Sequence, residues 1–280
     1  MQDYNELCFE RILKLLHEER GIDFSLYKEP CLKRRIASRV QRLNLKNWSS
    51  YYRYIKHHPE EFNKLIETIT INVTRFFRDE GVYKELEYKI LPDIIHKKLL
   101  QGMHVLRFWS AGCATGEEAY SLIILFKEVE RRTFLNETRK HFTPLRLSVY
   151  ATDIDEKIIA KAKKGIFSEK SVANIPDFIR KHYFEAFKEK HRIISEIRRK
   201  VHFYHSNLTG MKHFTCFDLI LCRNVMIYFN EKIQTKIIWQ FYKSLNQNGY
   251  LVLGKSESLP REAFTLFKYV NNRERIFKKK

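Results

Sequence analysis

The chain has 280 residues, of which 44% are apolar and 30% charged, a composition typical of a globular protein with a sizeable core. Its apolar runs are shorter than the roughly 18 residues of a membrane helix, and its acidic N-terminus does not resemble a signal peptide. Five cysteines without a CxxC pair indicate a reducing compartment, so we expect a cytoplasmic protein that does not span a membrane. The formal charge of +19 predicts an acidic partner without choosing among nucleic acid, anionic lipid and protein.

Residues 1–75 predict a small all-helical domain. Apolar residues recur on one helical face between Leu7 and Leu16, and Gly21 ends that pattern. A later helix is expected to begin near Pro59, because the two glutamates that follow suit the first turn of a helix.

Between these segments lies a helix with a basic face. The apolar residues Ile36 and Val40 are four positions apart, and an adjacent stripe with helical spacing carries Arg35, Arg39 and Arg42. We therefore expect three guanidinium groups on one exposed face.

Residues 76–280 predict an α/β domain. Short, nearly continuous apolar runs alternate with helical patterns, which is typical of a parallel sheet with helices on both faces. Two apolar runs around Asn271 and Asn272 predict a C-terminal antiparallel hairpin. The connection at residues 166–200 is long for a crossover, and we interpret it as an inserted β-subdomain.

The turn after the first strand contains Gly112 and Gly116 and leads into Glu117 and Glu118. A strand, a glycine loop and a helix form a nucleotide-type site, although the GxGxxG pattern is not matched. Two acids at the helix start disfavour phosphate and suit a cationic or hydroxyl-bearing ligand. The alternative is a tight turn whose acids only complement the helix dipole.

Polar residues end two further strands. Asp153 is placed to accept hydrogen bonds from ribose hydroxyls; alternatively it caps the next helix, a role that Asp155 could fill instead. Arg223 and Asn224 follow the strand FDLILC, so they and Tyr228 lie where α/β sheets bind ligands. Tyr228 could equally be a core or rim aromatic.

The segment from Gly249 to Ser256 fits the P-loop expression, but its four intervening residues predict a strand. A P-loop requires a loop whose amides surround phosphate, so we expect no ATP site here. The sequence also lacks the HExxH, zinc-ligand and GxSxG patterns, so neither a metal nor serine-hydrolase chemistry is expected.

Several motifs together resemble the chemotaxis receptor methyltransferases, the CheR family. They are NVTRFFRD from Asn72, SAGCATGEEAYS from Ser110, ATDID from Ala151, NL at Asn207 and CRNVMIYF from Cys222. The resemblance covers nearly the whole chain. It implies a helical N-terminal domain, an S-adenosylmethionine (SAM)-dependent methyltransferase sheet with an antiparallel last hairpin, and an inserted β-subdomain. The implied reaction is methyl transfer from SAM to glutamate side chains of membrane chemoreceptors, giving γ-methyl esters and S-adenosylhomocysteine.

The resemblance also implies residue roles. Cofactor contacts fall on Asn72, Thr74, Arg78, Glu117, Asp153, Asn207, Leu208, Arg223 and Asn224. Arg78 and Tyr228 fall near the transferred methyl group and are the expected catalytic residues. Receptor contact falls on Arg35, Arg39 and Arg42.

Other interpretations remain open at this stage. The charge is compatible with a SAM-dependent RNA methyltransferase, although the arginine stripe lacks the interleaved aromatics of RNA-binding grooves, so no nucleic acid is expected. A non-catalytic SAM-binding signalling module is the other alternative. Family members that bind a receptor's C-terminal pentapeptide have a glycine-containing loop in the β-subdomain, whereas no glycine lies between Gly165 and Gly210 here. We therefore expect this chain not to use such a tether.

Overall fold

The computed structural model describes residues 2–70, 72–135, 145–210 and 214–280. The chain separates into two compact units, one made of Met1–Asn72 and Ile227–Gln234 and the other of Val73–Met226 and Thr235–Lys280. None of the helices in these described ranges is long and apolar enough to cross a membrane.

The first unit is helical, as predicted. Its helices are α1 (Gln2–Arg20), α2 (Glu29–Arg42), α3 (Trp48–His57) and α4 (Glu60–Thr70). Gly21 ends α1 in the left-handed conformation with φ of +66°. The sequence analysis overlooked α3, in which the Asn47 side chain accepts a hydrogen bond from the backbone N–H of Ser50 and so caps the helix.

The segment Ile227–Gln234 belongs to the helical unit although it follows a strand of the sheet in sequence. Tyr27 and Phe229 form an antiparallel bridge. The backbone N–H of Lys28 donates to the carbonyl of Tyr228 at 2.7 Å. Tyr228 is therefore fixed by its backbone against the chain that leads into α2.

The prediction of three exposed guanidinium groups on α2 is wrong for Arg39. Its Nε and Nη2 donate to the two carboxylate oxygens of Glu61 at 2.5 and 2.8 Å. The Tyr51 hydroxyl donates to the same carboxylate at 3.1 Å. The Arg39 side chain is only 12% exposed and that of Glu61 1%. Helical spacing showed which side of α2 carries Arg39, but it could not show that α4 places a carboxylate against it; Arg35 is half-buried and Arg42 exposed.

The second unit is built on a mixed sheet. Its strands are β1 (Val105–Ala111), β2 (Arg146–Asp153), β6 (Val201–His205), β7 (Phe217–Cys222), β8 (Leu245–Leu253), β9 (Phe267–Asn271) and β10 (Ile276–Lys279). Across the described residues the order is β6-β2-β1-β7-β8-β10-β9. The pairs from β6 to β8 are parallel, and β10 is antiparallel to both β8 and β9. The predicted fold class and terminal hairpin are confirmed.

Helices flank this sheet. They are α5 (Glu80–Glu85), α6 (Leu91–Leu100), α7 (Glu117–Leu135), α8 (Glu156–Lys164) and α12 (Glu231–Ser244), with a π-helical turn at Leu86–Ile90 between α5 and α6. The central strand β7 is buried along its whole length, as expected for a sheet covered on both faces. Its neighbours β1 and β8 are largely buried as well.

The inserted segment forms a small sheet of its own. It contains β3 (Ile166–Phe167), α9 (Glu169–Val172), α10 (Asp177–Tyr183), β4 (Phe184–Phe187), β5 (Lys190–Ile193) and α11 (Ser195–Arg198). The strands are antiparallel in the order β3-β5-β4.

Two details of this small sheet bear on the expectation about tethering. The turn between β4 and β5 forms without glycine, because Lys188 adopts the left-handed conformation with φ of +53°. Strand β5 is the central strand, so β3 and β4 are the strands with a free edge in this small sheet. The geometry therefore gives no ground for excluding an added peptide strand.

The Arg39–Glu61 pair should stabilise the helical unit. Replacing Arg39 with Met should lower the free energy of unfolding by about 3 kcal/mol, because a buried carboxylate loses its partner. Arg42→Met on the same helix is the control, with an expected change within about 0.5 kcal/mol because Arg42 is exposed. Urea unfolding followed by circular dichroism measures both; equal effects of the two variants would contradict a structural role for Arg39.

Candidate functional site

The candidate site lies at one edge of the large sheet. Because β6, β2, β1, β7 and β8 are parallel, their carboxyl ends and the loops that follow them share this edge. The end of β2 and the segments that follow β1, β6 and β7 carry six of the nine residues expected to bind a cofactor: Glu117, Asp153, Asn207, Leu208, Arg223 and Asn224.

The loop after β1 turns sharply over the end of β2. The backbone N–H groups of Gly112 and Cys113 donate to the carbonyl of Thr152 at 2.8 and 2.9 Å. Gly112 has φ of +80°, and a Cβ there would lie 2.4 Å from a methyl group of Val225. The glycine is thus required by both its conformation and the close approach of the loop after β7.

Asp153 fixes the same loop from the end of β2. Its carboxylate accepts hydrogen bonds from the backbone N–H of Ala114 at 2.9 Å and of Asp155 at 3.1 Å. Burial raises the pKa of Asp153, and the backbone hydrogen bonds partly offset this by stabilising the charged form. Asp155 caps α8 by accepting from Ile158, so Asp153 is not the helix cap.

The first two residues of α7 are acids with different surroundings. Glu117 is buried and accepts a hydrogen bond from the Thr115 hydroxyl at 2.5 Å, and burial raises its pKa. Glu118 accepts from the Ser110 hydroxyl at 2.8 Å and from Arg223 Nη1 at 3.3 Å. Glu118 is therefore bonded to other groups of the protein, whereas Glu117 is bonded to the loop after β1.

Arg223 is a buried connector between segments. Its side chain is 2% exposed, and its Nη2 donates to the carboxylate of Asp79 at 2.5 Å and to the backbone carbonyl of Arg78 at 2.9 Å. With Nη1 on Glu118, the guanidinium joins the end of β7, the start of α7 and the segment that carries Arg78. It acts on the site through these partners.

Arg78 lies in an irregular segment held on several sides. Phe76 is buried and makes edge-to-face contacts with Phe167 of β3 and Phe184 of β4. The backbone N–H of Phe77 donates to the Ser121 hydroxyl of α7 at 3.1 Å. The Arg78 side chain is half-exposed and donates to the carbonyl of Val73 at 3.0 Å. Thr74, also half-exposed, lies in the same segment.

A carboxylate that the sequence analysis missed organises the loop after β7. Glu257 accepts hydrogen bonds from the backbone N–H groups of Asn224 at 3.0 Å, Val225 at 2.9 Å and Gly254 at 2.6 Å. Asn224 thereby adopts the left-handed conformation with φ of +60°. Its buried Oδ1 has no hydrogen-bond partner among the described residues. In the sequence, Glu257 is recognisable only as an acid shortly after the buried strand β8, and this position does not indicate which groups it binds.

The segment after β6 is also tied to this edge. The backbone N–H of Ser206 donates to the carbonyl of Asp153 at 2.8 Å. Asn207 accepts hydrogen bonds from the backbone N–H and hydroxyl of Thr209 at 3.0 and 2.9 Å, and Leu208 is buried. Asn207 and Asp153 therefore follow neighbouring strands of the same edge.

Other expected site residues lie in the helical unit. Asn72 donates from Nδ2 to the Thr70 hydroxyl at 3.3 Å. Tyr228 is half-buried in the segment that pairs with Tyr27 and Lys28.

The strand predicted within the P-loop-like segment is confirmed. Gly249 to Leu253 lie within β8, and the next residues form a turn. Among the described residues no group of three or more His, Cys, Asp and Glu side chains is placed to hold a metal ion.

Comparison with known proteins identifies the family. Residues 72–276 match the model of the CheR methyltransferase SAM-binding domain, and residues 8–70 match that of the CheR all-alpha domain. A chemotaxis protein methyltransferase of Borreliella burgdorferi is 32% identical over 89% of this chain and 87% of its own length. A chemotaxis protein methyltransferase 2 of Vibrio cholerae is 30% identical over 90% and 86%.

The chain belongs to the CheR methyltransferase family. It is therefore a SAM-dependent methyltransferase of the chemotaxis class, as the motifs predicted.

The residues at the sheet edge suit SAM chemically. The buried Asn224 Oδ1, which has no partner among the described residues, is an acceptor that an N–H donor of the cofactor can satisfy. Glu117 and Asp153 offer negative charge to a ligand with a sulfonium and ribose hydroxyls. This CheR-family site thus offers acceptors where a phosphate-binding site would offer donors.

We expect Glu257 to be a positioning residue for cofactor binding. Glu257→Gln replaces one carboxylate oxygen by an amide donor that opposes a backbone N–H, so Asn224 should lose its fixed conformation. SAM affinity measured by calorimetry should fall at least roughly tenfold, equivalent to about 1.4 kcal/mol. Glu262→Gln, at an exposed position nearby in sequence, should leave affinity unchanged. Full affinity in Glu257→Gln would show that the loop does not need the carboxylate.

Proposed function

We propose that this CheR-family chain transfers the methyl group of SAM to glutamate side-chain carboxylates in the cytoplasmic domains of membrane chemoreceptors. The products would be glutamate γ-methyl esters and S-adenosylhomocysteine. The observation that carries the proposal is Arg78, a half-exposed cation anchored at a SAM-type sheet edge. Relatives named chemotaxis protein methyltransferases support the biological setting, and the proposed compartment of the reaction is the cytoplasm.

Cofactor contact is proposed for the residues that match the family's motifs. Asp153 would receive ribose hydroxyls, and Glu117 and Asn224 would face the cofactor from the loops after β1 and β7. The remaining proposed contacts are Asn72, Thr74, Arg78, Asn207, Leu208 and Arg223. Of these, Arg223 is already bonded to Asp79 and Glu118, so its proposed contribution is to hold the Arg78 segment.

Methyl transfer to a carboxylate requires that the substrate is oriented, but it requires no removal of a proton. When bound, SAM supplies an electrophilic methyl group, and no metal is proposed. A glutamate carboxylate in water has a pKa of about 4.3 and is ionised at neutral pH, so no general base is required. Arg78 can hold this carboxylate through its guanidinium and align it, while its anchored backbone limits the motion of the side chain.

Tyr228 is proposed to donate one hydrogen bond to the same carboxylate. A single neutral donor orients an oxygen at a smaller loss of nucleophilicity than a second cation would cause. The backbone hydrogen bond from Lys28 to Tyr228 would limit movement of the tyrosine.

Receptor docking is proposed for the basic face of α2, reduced to Arg35 and Arg42. Arg39 forms an ion pair with Glu61 and therefore contributes to the stability of the fold and not to docking. Methylated receptor segments present glutamates, so an exposed cation near their path would increase the rate of encounter.

The proposed reaction is tested by methyl transfer. Purified protein, SAM with a tritiated methyl group and receptor-containing membranes should give labelled receptor that releases methanol in alkali, since esters are base-labile. Receptor truncated at its C-terminal tail serves as a second substrate and shows whether a tail peptide matters. Arg78→Ala should lower turnover by at least roughly a hundredfold if it orients the carboxylate, whereas Arg75→Ala, an exposed neighbour, should retain it.

Alkali-stable label on the receptor, or label on RNA in place of receptor, would contradict the glutamate ester. SAM binding without any turnover on receptor membranes would favour a signalling module.

The docking face is tested by charge reversal. Arg35→Glu combined with Arg42→Glu should reduce receptor methylation at 0.15 M salt by at least roughly tenfold while SAM affinity stays unchanged. Wild-type methylation should also fall as salt is added, because exposed charges are screened beyond about 8 Å at this ionic strength.

The matched control reverses Arg11 and Arg53, two exposed arginines elsewhere in the helical unit. It changes the net charge equally. If both double variants lose methylation to the same extent, total charge matters and α2 has no special part in docking.

A further inference from the structure

A cavity lies at the amino ends of the strands, at the sheet edge opposite to the proposed cofactor site. Its volume is about 600 Å³, and it is lined by the end of α6 and the starts of β1 and β7 together with part of β8. The seven residues of β1 separate this edge from the loop at Gly112 by about 20 Å. A ligand here would not overlap the proposed methyl-transfer site.

The carboxylate at the base of this cavity is engaged by donors of the protein. Asp218 is paired with Lys98 Nζ at 2.9 Å. It also accepts from the backbone N–H of Arg107 at 3.1 Å and from Asn246 Nδ2 at 2.6 Å. The charge of Asp218 is therefore compensated by Lys98, and it does not neutralise the other cations of the cavity.

Arg107 lines the cavity and meets no carboxylate in the described part of the chain. Its guanidinium lies over the rings of Tyr150 and Phe217, and its Cζ atom is 4.7 and 5.1 Å from the two ring centroids. Within the described residues its buried Nε has no hydrogen-bond partner, and neither has the buried Nδ1 of His104, which lines the same cavity. An unpaired buried N–H such as that of Arg107 Nε is costly, and an anionic acceptor would satisfy it. The His104 nitrogen donates only when it carries the ring hydrogen.

A crowded group of ammonium ions adds positive charge. Lys97, which lines the cavity, pairs with Asp93. Lys278 lies 3.3 Å from the same carboxylate, which also accepts from the Tyr250 hydroxyl at 2.5 Å. Burial and the nearby Lys97 lower the pKa of Lys278. Within the described residues, Lys97 and Lys278 share Asp93, Lys98 is paired with Asp218, and Arg107 is a fourth cation without a carboxylate.

We propose that this cavity binds the phosphate group of a small hydroxylated molecule, a sugar phosphate in chemical class. Arg107 and Lys97 supply the charge that a phosphate requires, and guanidinium geometry suits its oxygens. The cavity is larger than a single phosphate ion, and side-chain amides of Gln101, Asn246 and Gln247 line it. These amides suit hydroxyl groups on the rest of the ligand.

Cys216 gives a direct readout of occupancy. It lines the cavity and is exposed, whereas Cys8, Cys113 and Cys222 are buried and Cys31 is half-buried. Alkylation of Cys216 by iodoacetamide, followed by mass spectrometry, should slow several-fold and saturably as ribose 5-phosphate is added. Cys31 serves as the internal reference and should react at an unchanged rate.

Controls separate the phosphate from other effects. Ribose, and sodium chloride at matched ionic strength, should not protect Cys216. Arg107→Gln should weaken protection at least roughly tenfold, and Lys97→Gln provides a second variant should Arg107→Gln not fold. Lys84→Gln, at an exposed position outside the cavity, should keep full protection.

Absence of saturable protection, or equal protection by ribose or chloride, would overturn the site. Equal protection by inorganic phosphate would assign it to the free ion and overturn the sugar-phosphate assignment. SAM affinity by calorimetry should be normal in both cavity variants, which shows that they are folded.

Discussion

The buried guanidinium of Arg223 is the interaction on which the site depends. A charge that is almost wholly removed from water must be paired, and removing one partner of such a pair is strongly destabilising. Arg223 meets this requirement with carboxylates from two distant segments, Asp79 and Glu118, and with the carbonyl of Arg78. The end of a central strand, the first turn of α7 and the segment carrying Arg78 are thus fixed in one another's positions.

Carboxylates also shape the loops around this centre, as acceptors for backbone N–H groups. Asp153 holds the loop after β1, and Glu257 holds the loop after β7. Both loops contain residues with positive φ, Ala114 and Asn224, that the hydrogen bonds help to maintain. Part of the negative charge at this edge is therefore balanced by backbone dipoles.

Sequence reasoning succeeded where the signal is local and failed where it depends on distant contacts. Near-continuous apolar runs marked the strands β1, β2, β6, β7 and β8, and motif spacing placed Asp153 and Asn224 at one edge. The helical spacing of the arginines could not show that Glu61 lies against Arg39, because that pair joins residues from α2 and α4. The partners of Glu257 could not be predicted for the same reason. The left-handed conformation of Lys188 could not be predicted either, because lysine is not a residue type that favours positive φ.

The segment that presents Arg78 shows how the inserted sheet enters the chemistry. Phe77 and Asp79 have φ of +49° and +63°, conformations that cost of order 1–3 kcal/mol each. The packing of Phe76 against Phe167 and Phe184 and the pairing of Asp79 with Arg223 offset this cost. Since Phe167 and Phe184 belong to β3 and β4, changes in the inserted sheet alter the anchor of Arg78 directly. The insertion therefore acts as a support for the proposed catalytic residue, whether or not it also binds a receptor peptide.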